Sequence, residues 1–432
     1  MPSDRRAAAR AWCLYDWANS GFATSATTAL LPTLFTQIAS REVAPHVATA
    51  YWGYASAAAL AITVLIGPFI GAVADHLRGR KPLLLACVIT GALATVLIAA
   101  LPGAGWGGLL GLFAIGFVAF ASGNVLYDSL LPAVASPEEM HRVSARGFAY
   151  GYIGGGVLLA FHLLLILMPE RFGLPDATAA MRLAIGTVGL WWLGFSIPLF
   201  RSVPEPWSAP VRTPLGQMAG TVSRQLWHTL LHLRRQPDLF RFLVAFWLYS
   251  DGIGTIMKMA VVYGRELGID RGSLIGALLM VQILAAPASI AFGRLAHRWG
   301  PQRAVLIGLV GYMGITVLGF FLSRPWHFWA LSGLVALFQG GTQALSRSMF
   351  ASLVPRDRVG EMFGFYSVSE KLAGVIGPLL FGLVAQATGE GRLAVLTLLP
   401  FFVAGSWLLM TVNLARGATR AAGHEASAGA GC

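Results

Sequence analysis

The chain has 432 residues, 56% of them hydrophobic and 12% charged, with a formal net charge of +12 and a mean hydropathy of +0.67. A soluble domain carries about twice that charged fraction, so a water-soluble globular fold is excluded. The basic residues form no stripe interleaved with aromatics, which argues against a nucleic-acid partner. The three cysteines, Cys13, Cys87 and Cys432, form neither a CxxC motif nor a disulfide framework.

In chain order, the opening MPSDRRAAAR has the basic front of a signal peptide. The apolar run after it contains Asp16, Asn19 and Pro32 and is too long for a cleaved segment, so an uncleaved first span beginning near Trp12 is expected. Further spans of about 20 predominantly apolar residues begin near Tyr51, Pro82, Gly107, Ala145 and Ala180. After a break they resume near Phe240, Leu274, Arg303, Trp326, Phe363 and Ala394. The break, Arg201 to Pro237, contains SVPEPWSAPVRTP and divides the spans six and six. Its second part sets Leu215, Met218, Val222, Leu226, Leu230 and Leu233 at helical spacing, with Arg224, Gln225, His228 and His232 off that stripe. This pattern predicts an amphipathic helix on the membrane surface, its histidines on a solvated face and not a metal pair. From Gly417 the tail GATRAAGHEASAGAGC is expected to be disordered. The chain therefore divides into an N-terminal half (1–200), a linker (201–238), a C-terminal half (239–416) and a tail (417–432). With the N-terminus inside, about 22 of the 31 lysines and arginines fall on the cytoplasmic side and about 7 outside. Both termini are thus expected in the cytoplasm. The arginine-, alanine- and glycine-rich composition suits a GC-rich bacterial genome, hence a bacterial inner membrane.

The two halves repeat one another. LYDW with Asp16 answers LYSDG with Asp251, and SLLP ending at Pro132 answers SLVP ending at Pro355. RVSARGFAYGY from Arg142 matches RVGEMFGFYSV from Arg358, and GAVADHLRGRKP from Gly71 matches GRLAHRWGPQRA from Gly293. Four matches in one order, 216 to 235 residues apart, predict a duplication. Six spans per half insert both copies in the same orientation. The expected fold is an all-α integral membrane bundle of about twelve helices in two parallel six-helix repeats, with a site between the halves.

GAVADHLRGRK, Gly71 to Lys81, resembles the signature loop of the major facilitator superfamily between its second and third helices. Gly71 permits close packing at a helix end, Asp75 meets a helix N-terminus or an arginine across an inner gate, and Arg80 and Lys81 reach anionic headgroups. Here Gly79 follows Asp75 by four residues, where the family usually has three, so Asp75 is the firmer gate assignment than Arg78 or Arg80. AWCLYDWANSGFATS, FWLYSDGIGTIMKMAVVYGRELGI and QGGTQALSRSMFASLVP resemble the vacuole-effluxer branch of that superfamily. Its fungal members are autophagy-linked amino-acid effluxers. The resemblance, weaker outside these stretches, spans nearly the whole chain and implies an exporter-like carrier of small solutes.

Charged residues inside a bilayer cost about 2.5–3.5 kcal/mol each on insertion scales and mark pathways by default. Rise along the helix places Asp251 near the midplane, with Lys258 about 10 Å further out on the same face. The eleventh span supplies Glu370 and Lys371. These four and Thr255 are expected at a central cavity; the alternative is a structural pair, Asp251 with Lys371. Asp16, Asp128 and Arg347 lie nearer the cytoplasmic ends and join Asp75 as a gate layer, the alternative being headgroup anchoring. Asn19, Asn124, Gln282, Gln339 and Gln343 are equally suited to lining the cavity or to interhelical bonding. His162 reads as a packed, bonded histidine, and the glycine pairs Gly154 to Gly156 and Gly340 with Gly341 as close-approach points.

A zwitterionic amino acid needs an acceptor for its ammonium and a donor for its carboxylate, and a mixed-sign site provides both. Asp251 or Glu370 is expected to carry a coupling proton. No GxxxxGK[ST] loop exists for ATP, and no cofactor or metal is implied. The expected partners are a small solute, protons and membrane lipids, with the chain a monomer. A lipid-handling enzyme lacks HExxH or GxSxG. A transport-dead sensor on the same fold stays open, because fold does not fix function.

Overall fold

The computed structural model describes residues 3–101, 105–205, 236–266, 271–388 and 391–429, with positions 220, 223, 224, 226, 227, 268 and 269. Most of the amphipathic stretch predicted in the linker lies outside the described residues. The first half comprises α1 (Ser3–Gly21), α2 (Leu31–Ala39), α3 (Pro45–His76), α4 (Arg80–Ala100), α5 (Gly105–Ser129), α6 (Leu131–Val134), α7 (Met140–Leu167) and α8 (Ala177–Ser202). The second comprises α9 (Pro237–Glu266), α10 (Arg271–Trp299), α11 (Pro301–Phe320), α12 (Pro325–Leu353), α13 (Val359–Leu372), α14 (Ile376–Thr388), α15 (Gly391–Leu396) and α16 (Leu399–Met410), followed by α17 (Leu414–Gly429).

Among the described residues, ten helical stretches are long and apolar enough to cross a membrane. Two more rods, α1 running through a π-helical segment (Phe22–Leu30) into α2, and α12, complete the six-and-six arrangement with a more polar composition. In the π segment, Thr27 and Thr28 hydroxyls both donate to Ala23 O at 2.8 Å. Pro32 just beyond it has no N–H to give. Within the first half α1 packs on α7 and α8, and α4 on α5 and α8; in the second, α9 packs on α16 and α10 on α12.

The halves meet chiefly through two helix pairs, α3 with α13 and α7 with α10. These pairs are copies of one another under the repeat. A Cβ on Gly71 would strike the carbonyl of Gly360, and one on Gly364 would strike Pro68, so the α3–α13 backbones touch. At the repeat-related place, Gly293 of α10 lies against Ala145 of α7. Only glycine admits such approach in a membrane interface.

Two expectations are corrected. The tail from Gly417 is helical as far as Gly429, within α17. Its alanines favour helix, and Arg416 fastens it to Asp238 at the start of α9, Nη2 to Oδ1 at 2.7 Å and Nε to Oδ2 at 2.7 Å. The eleventh span is not one helix: it breaks at Ala373–Val375, between α13 and α14.

Candidate functional site

The site is a stack of three layers, starting at the end of the bundle that carries Ser3, α17 and the helix ends joined by the linker, here the termini side. The outermost layer is built by the α3–α4 turn. Arg78 takes φ +49°, Gly79 N–H bonds Ala74 O at 3.1 Å and Arg78 N–H bonds Asp75 O at 3.2 Å. This is a Schellman-type ending with arginine where glycine is usual. The turn accommodates the additional residue and leaves Asp75 facing the other half. Asp75 Oδ1 accepts from Gly360 N (3.1 Å) and Oδ2 from Glu361 N (2.8 Å), capping the N-terminus of α13. A carboxylate there also meets the positive end of the helix dipole. Arg80 turns inward, not toward headgroups: its Nη2 donates to Asp75 Oδ1 at 2.8 Å, its Nη1 to Ser129 O at 2.9 Å, and it is 2% exposed. Glu205, which sequence reasoning missed, accepts from Arg80 N (2.8 Å) and Lys81 N (3.1 Å), capping α4. Lys81 Nζ reaches Val203 O at 2.7 Å.

The second layer centres on Arg347 of α12. It donates Nη1 to Asp128 Oδ1 (3.0 Å), Nη2 to Asp16 Oδ2 (3.2 Å) and Nε to Ser144 Oγ (2.9 Å), all on the first half. Phe148 and Trp12 sandwich the guanidinium at 4.4 and 4.7 Å. Beside it, His141 Nδ1 and Ser348 Oγ bond across the halves at 2.7 Å. Ser144, Trp12 and Phe148 were not picked out from sequence, where nothing distinguishes them from packing residues.

Above this layer lies a cavity of about 380 Å³ between the halves. Its floor includes Asp128 and Arg347; Lys258, Glu370, Lys371 and Gln343 line its wall with Tyr249 and Tyr366. Glu370 Oε2 and Lys371 Nζ are 3.6 Å apart. Tyr249 OH and Ser346 Oγ are bonded at 2.6 Å, and Tyr366 stacks on Phe246 at 4.2 Å.

The break in the eleventh span closes the cavity's edge. Gly374 sits at φ +128°, a conformation for glycine alone. Pro378 supplies no N–H to Gly374 O, four residues back. Lys258 Nζ fills that acceptor at 2.8 Å. Asp251, 1% exposed, accepts from Gly374 N (2.7 Å) and Gly377 N (3.0 Å) and so caps α14. The anionic side chain thus meets a helix N-terminus, the favourable sign, and the cationic one supplies the donor that a carbonyl of the break lacks. The alternative pairing of Asp251 with Lys371 is not formed, because Lys371 is turned to Glu370.

Other candidates sit elsewhere. Asn19 Nδ2 donates to Asn124 Oδ1 at 2.7 Å, joining α1 to α5 outside the cavity lining. Thr255 is buried, with its hydroxyl on Asp251 O at 2.7 Å. Gln339 is buried behind the cavity wall. His162 Nε2 bonds Thr187 Oγ1 at 2.9 Å. Among the described residues, no group of His, Cys, Asp and Glu could hold a metal ion.

Two helical halves around a polar cavity, touching on one side, define a transporter of the major facilitator type. Solved structures share this fold: the human organic anion transporter MFSD10 (TETRAN), TM-score 0.74 at 17% identity, covering 95% of this chain and 100% of that one, and the proton:xylose symporter XylE, TM-score 0.70 at 14% identity, covering 95% of each. Residues 44–422 match the model of the family described as vacuole effluxer Atg22 like. The chain belongs to that family and is a membrane transporter, not an enzyme. The MFS-type transporter YxiO of Bacillus subtilis is 37% identical over 403 residues, 93% of this chain and 94% of that protein. Autophagy-related protein 22-1 of Aspergillus niger is 30% identical over 307 residues, 64% of this chain and 48% of that protein. The alignment thus spans about half the length of that fungal relative.

Proposed function

We propose that the chain is an alternating-access secondary transporter of a small polar organic solute, an amino acid or similar zwitterion, coupled to protons. The observation that carries this reading is the mixed-sign cavity between the halves. Lys258 and Lys371 offer donors to a carboxylate, Glu370 an acceptor to an ammonium, and charge-assisted bonds of this kind orient a small ligand strongly. The volume of about 380 Å³ falls in the range of small-molecule sites. Glu370, its side chain 51% exposed, is assigned the coupling proton; Asp251, engaged by backbone N–H groups, holds the helix break. Asp75 and Arg347 with its two aspartates are assigned to the gate. The arginine bias supports a cytoplasmic termini side, and the GC-rich-type composition supports a bacterial inner membrane. One chain supplies both halves of the cavity, so a monomer suffices.

Counterflow of labelled amino acids in proteoliposomes tests the substrate class, and accumulation with and without a proton gradient tests coupling. Glu370→Gln is expected to lose gradient-driven accumulation and to weaken counterflow, because the one carboxylate is assigned both the proton and the ammonium. No counterflow with any of the twenty standard amino acids would sink the substrate class, and equal accumulation with and without the gradient would sink coupling.

A further inference from the structure

On the termini side, α1, α7 and α10 surround a second cavity, of about 570 Å³, whose wall carries Arg6, Arg10, Arg142 and Arg146 against one carboxylate, Glu139. An adjoining recess shares Arg142 and Arg146 and adds Arg294 from α10. All five arginines are exposed, and none makes an ion pair among the described residues. Glu139 takes a hydrogen bond from Ser136 Oγ at 3.2 Å. Neither the gate nor the central cavity uses these groups. Like charges gathered in one concavity repel one another, and an anion among them removes that repulsion.

The neighbourhood says which anion. Arg146 heads an exposed ridge on α7 that continues through Tyr150, Ile153, Val157, Phe161 and Leu164, each three or four residues from the last. One helical face therefore runs from cations at the membrane surface into apolar side chains at acyl-chain depth. A free phosphate would use the cations alone. A ligand with an anionic head and hydrocarbon chains uses both.

We propose that this concavity binds an anionic phospholipid. Arg142, Arg146 and Arg294 hold its phosphodiester, Arg6 and Arg10 cover the headgroup, and its acyl chains lie along the Tyr150–Leu164 ridge. Arg142 and Arg146 belong to the first half and Arg294 to the second, beside the contact of Gly293 with Ala145. The lipid bridges the halves where they touch. A ligand that binds both halves at once favours the state in which they are together, so anionic lipid shifts the carrier toward closure on the termini side.

The test uses the full-length protein in detergent, with bound lipid counted by native mass spectrometry and thermal unfolding followed in parallel. The probes are phosphatidylglycerol, phosphatidylcholine, and inorganic phosphate at matched ionic strength. Wild type is expected to retain phosphatidylglycerol over phosphatidylcholine, and to be stabilised by phosphatidylglycerol and not by phosphate. At roughly fivefold per arginine at a membrane surface, Arg142→Gln with Arg146→Gln should lower that retention on the order of tenfold or more. Arg392→Gln, at the far end of the bundle, should leave it unchanged. Equal retention of the two lipids by wild type, or unchanged retention in the double variant, overturns the proposal. Stabilisation by phosphate alone reassigns the site to a free anion and overturns it too.

Discussion

At the scale of single residues, Arg347 ties α12 to three helices of the other half with one planar group. Its nitrogens reach Asp16, Asp128 and Ser144 while two rings cover its faces. Lysine offers one point donor and cannot meet all three. Breaking a buried pair by removing one partner costs about 3–5 kcal/mol. Asp16 and Asp128 keep some solvent contact, with side chains 14% and 19% exposed, so about 2–4 kcal/mol is expected for Arg347→Lys. The same variant should expose the cavity from the termini side, read as faster maleimide labelling of Ser250→Cys. A thermal midpoint and a labelling rate both equal to wild type would remove Arg347 from the gate. The sequence makes such charges visible because a membrane tolerates few without a partner. Their partners are less visible. Ser144 and Phe148 depend on how α7 rotates against α12, and the direction of Arg80 depends on Arg78 adopting a left-handed conformation that few residues take.

At the scale of elements, the eleventh span shows how a broken helix can be stable inside a bilayer. Its freed N–H groups go to Asp251 and its freed carbonyl to Lys258, which satisfies the requirement that no backbone polar group face hydrocarbon unpaired. Asp251→Leu leaves the N–H groups of Gly374 and Gly377 without an acceptor, at about 1–3 kcal/mol each. The loss of stability should therefore be large, and adding Lys371→Leu should not reverse it. Asp251→Asn keeps one acceptor oxygen and should fall between. Thermal unfolding of the three variants decides: recovery in the double variant would mean that Asp251 answers a charge and not a helix end. The stretch GVIGP, Gly374 to Pro378, carried the signal for this break, since a glycine and a proline four apart punctuate a helix. Hydropathy alone reads through it, because every residue there is apolar.

At the scale of the whole molecule, duplication was legible in part because both copies keep a glycine, Gly71 and Gly293, where the halves touch. Gly71 meets Gly360 and Gly293 meets Ala145, which lies one position beyond Ser144, the residue that answers Gly360 in the repeat. Orientation in the membrane is tested with two exposed positions. Arg224→Cys should resist an impermeant maleimide added outside right-side-out vesicles, and Arg41→Cys should react; the reverse pattern inverts the topology. Alternating access requires that the contact between halves break and reform in every cycle, and Gly71 is where that requirement can be probed. A side chain there meets the Gly360 backbone, which cannot yield as a flexible side chain would. Gly71→Val should therefore disfavour the state closed on the termini side while leaving each half intact. Shifting a two-state balance through a wedge of a few kcal/mol would slow transport by about tenfold or more. Gly111→Val, which adds a side chain where nothing lies within 4 Å, should transport normally. With Ser250→Cys as reporter, Gly71→Val should label faster from the termini side, at a thermal midpoint close to that of Gly111→Val. Wild-type transport by Gly71→Val would show that this contact lies outside the working cycle.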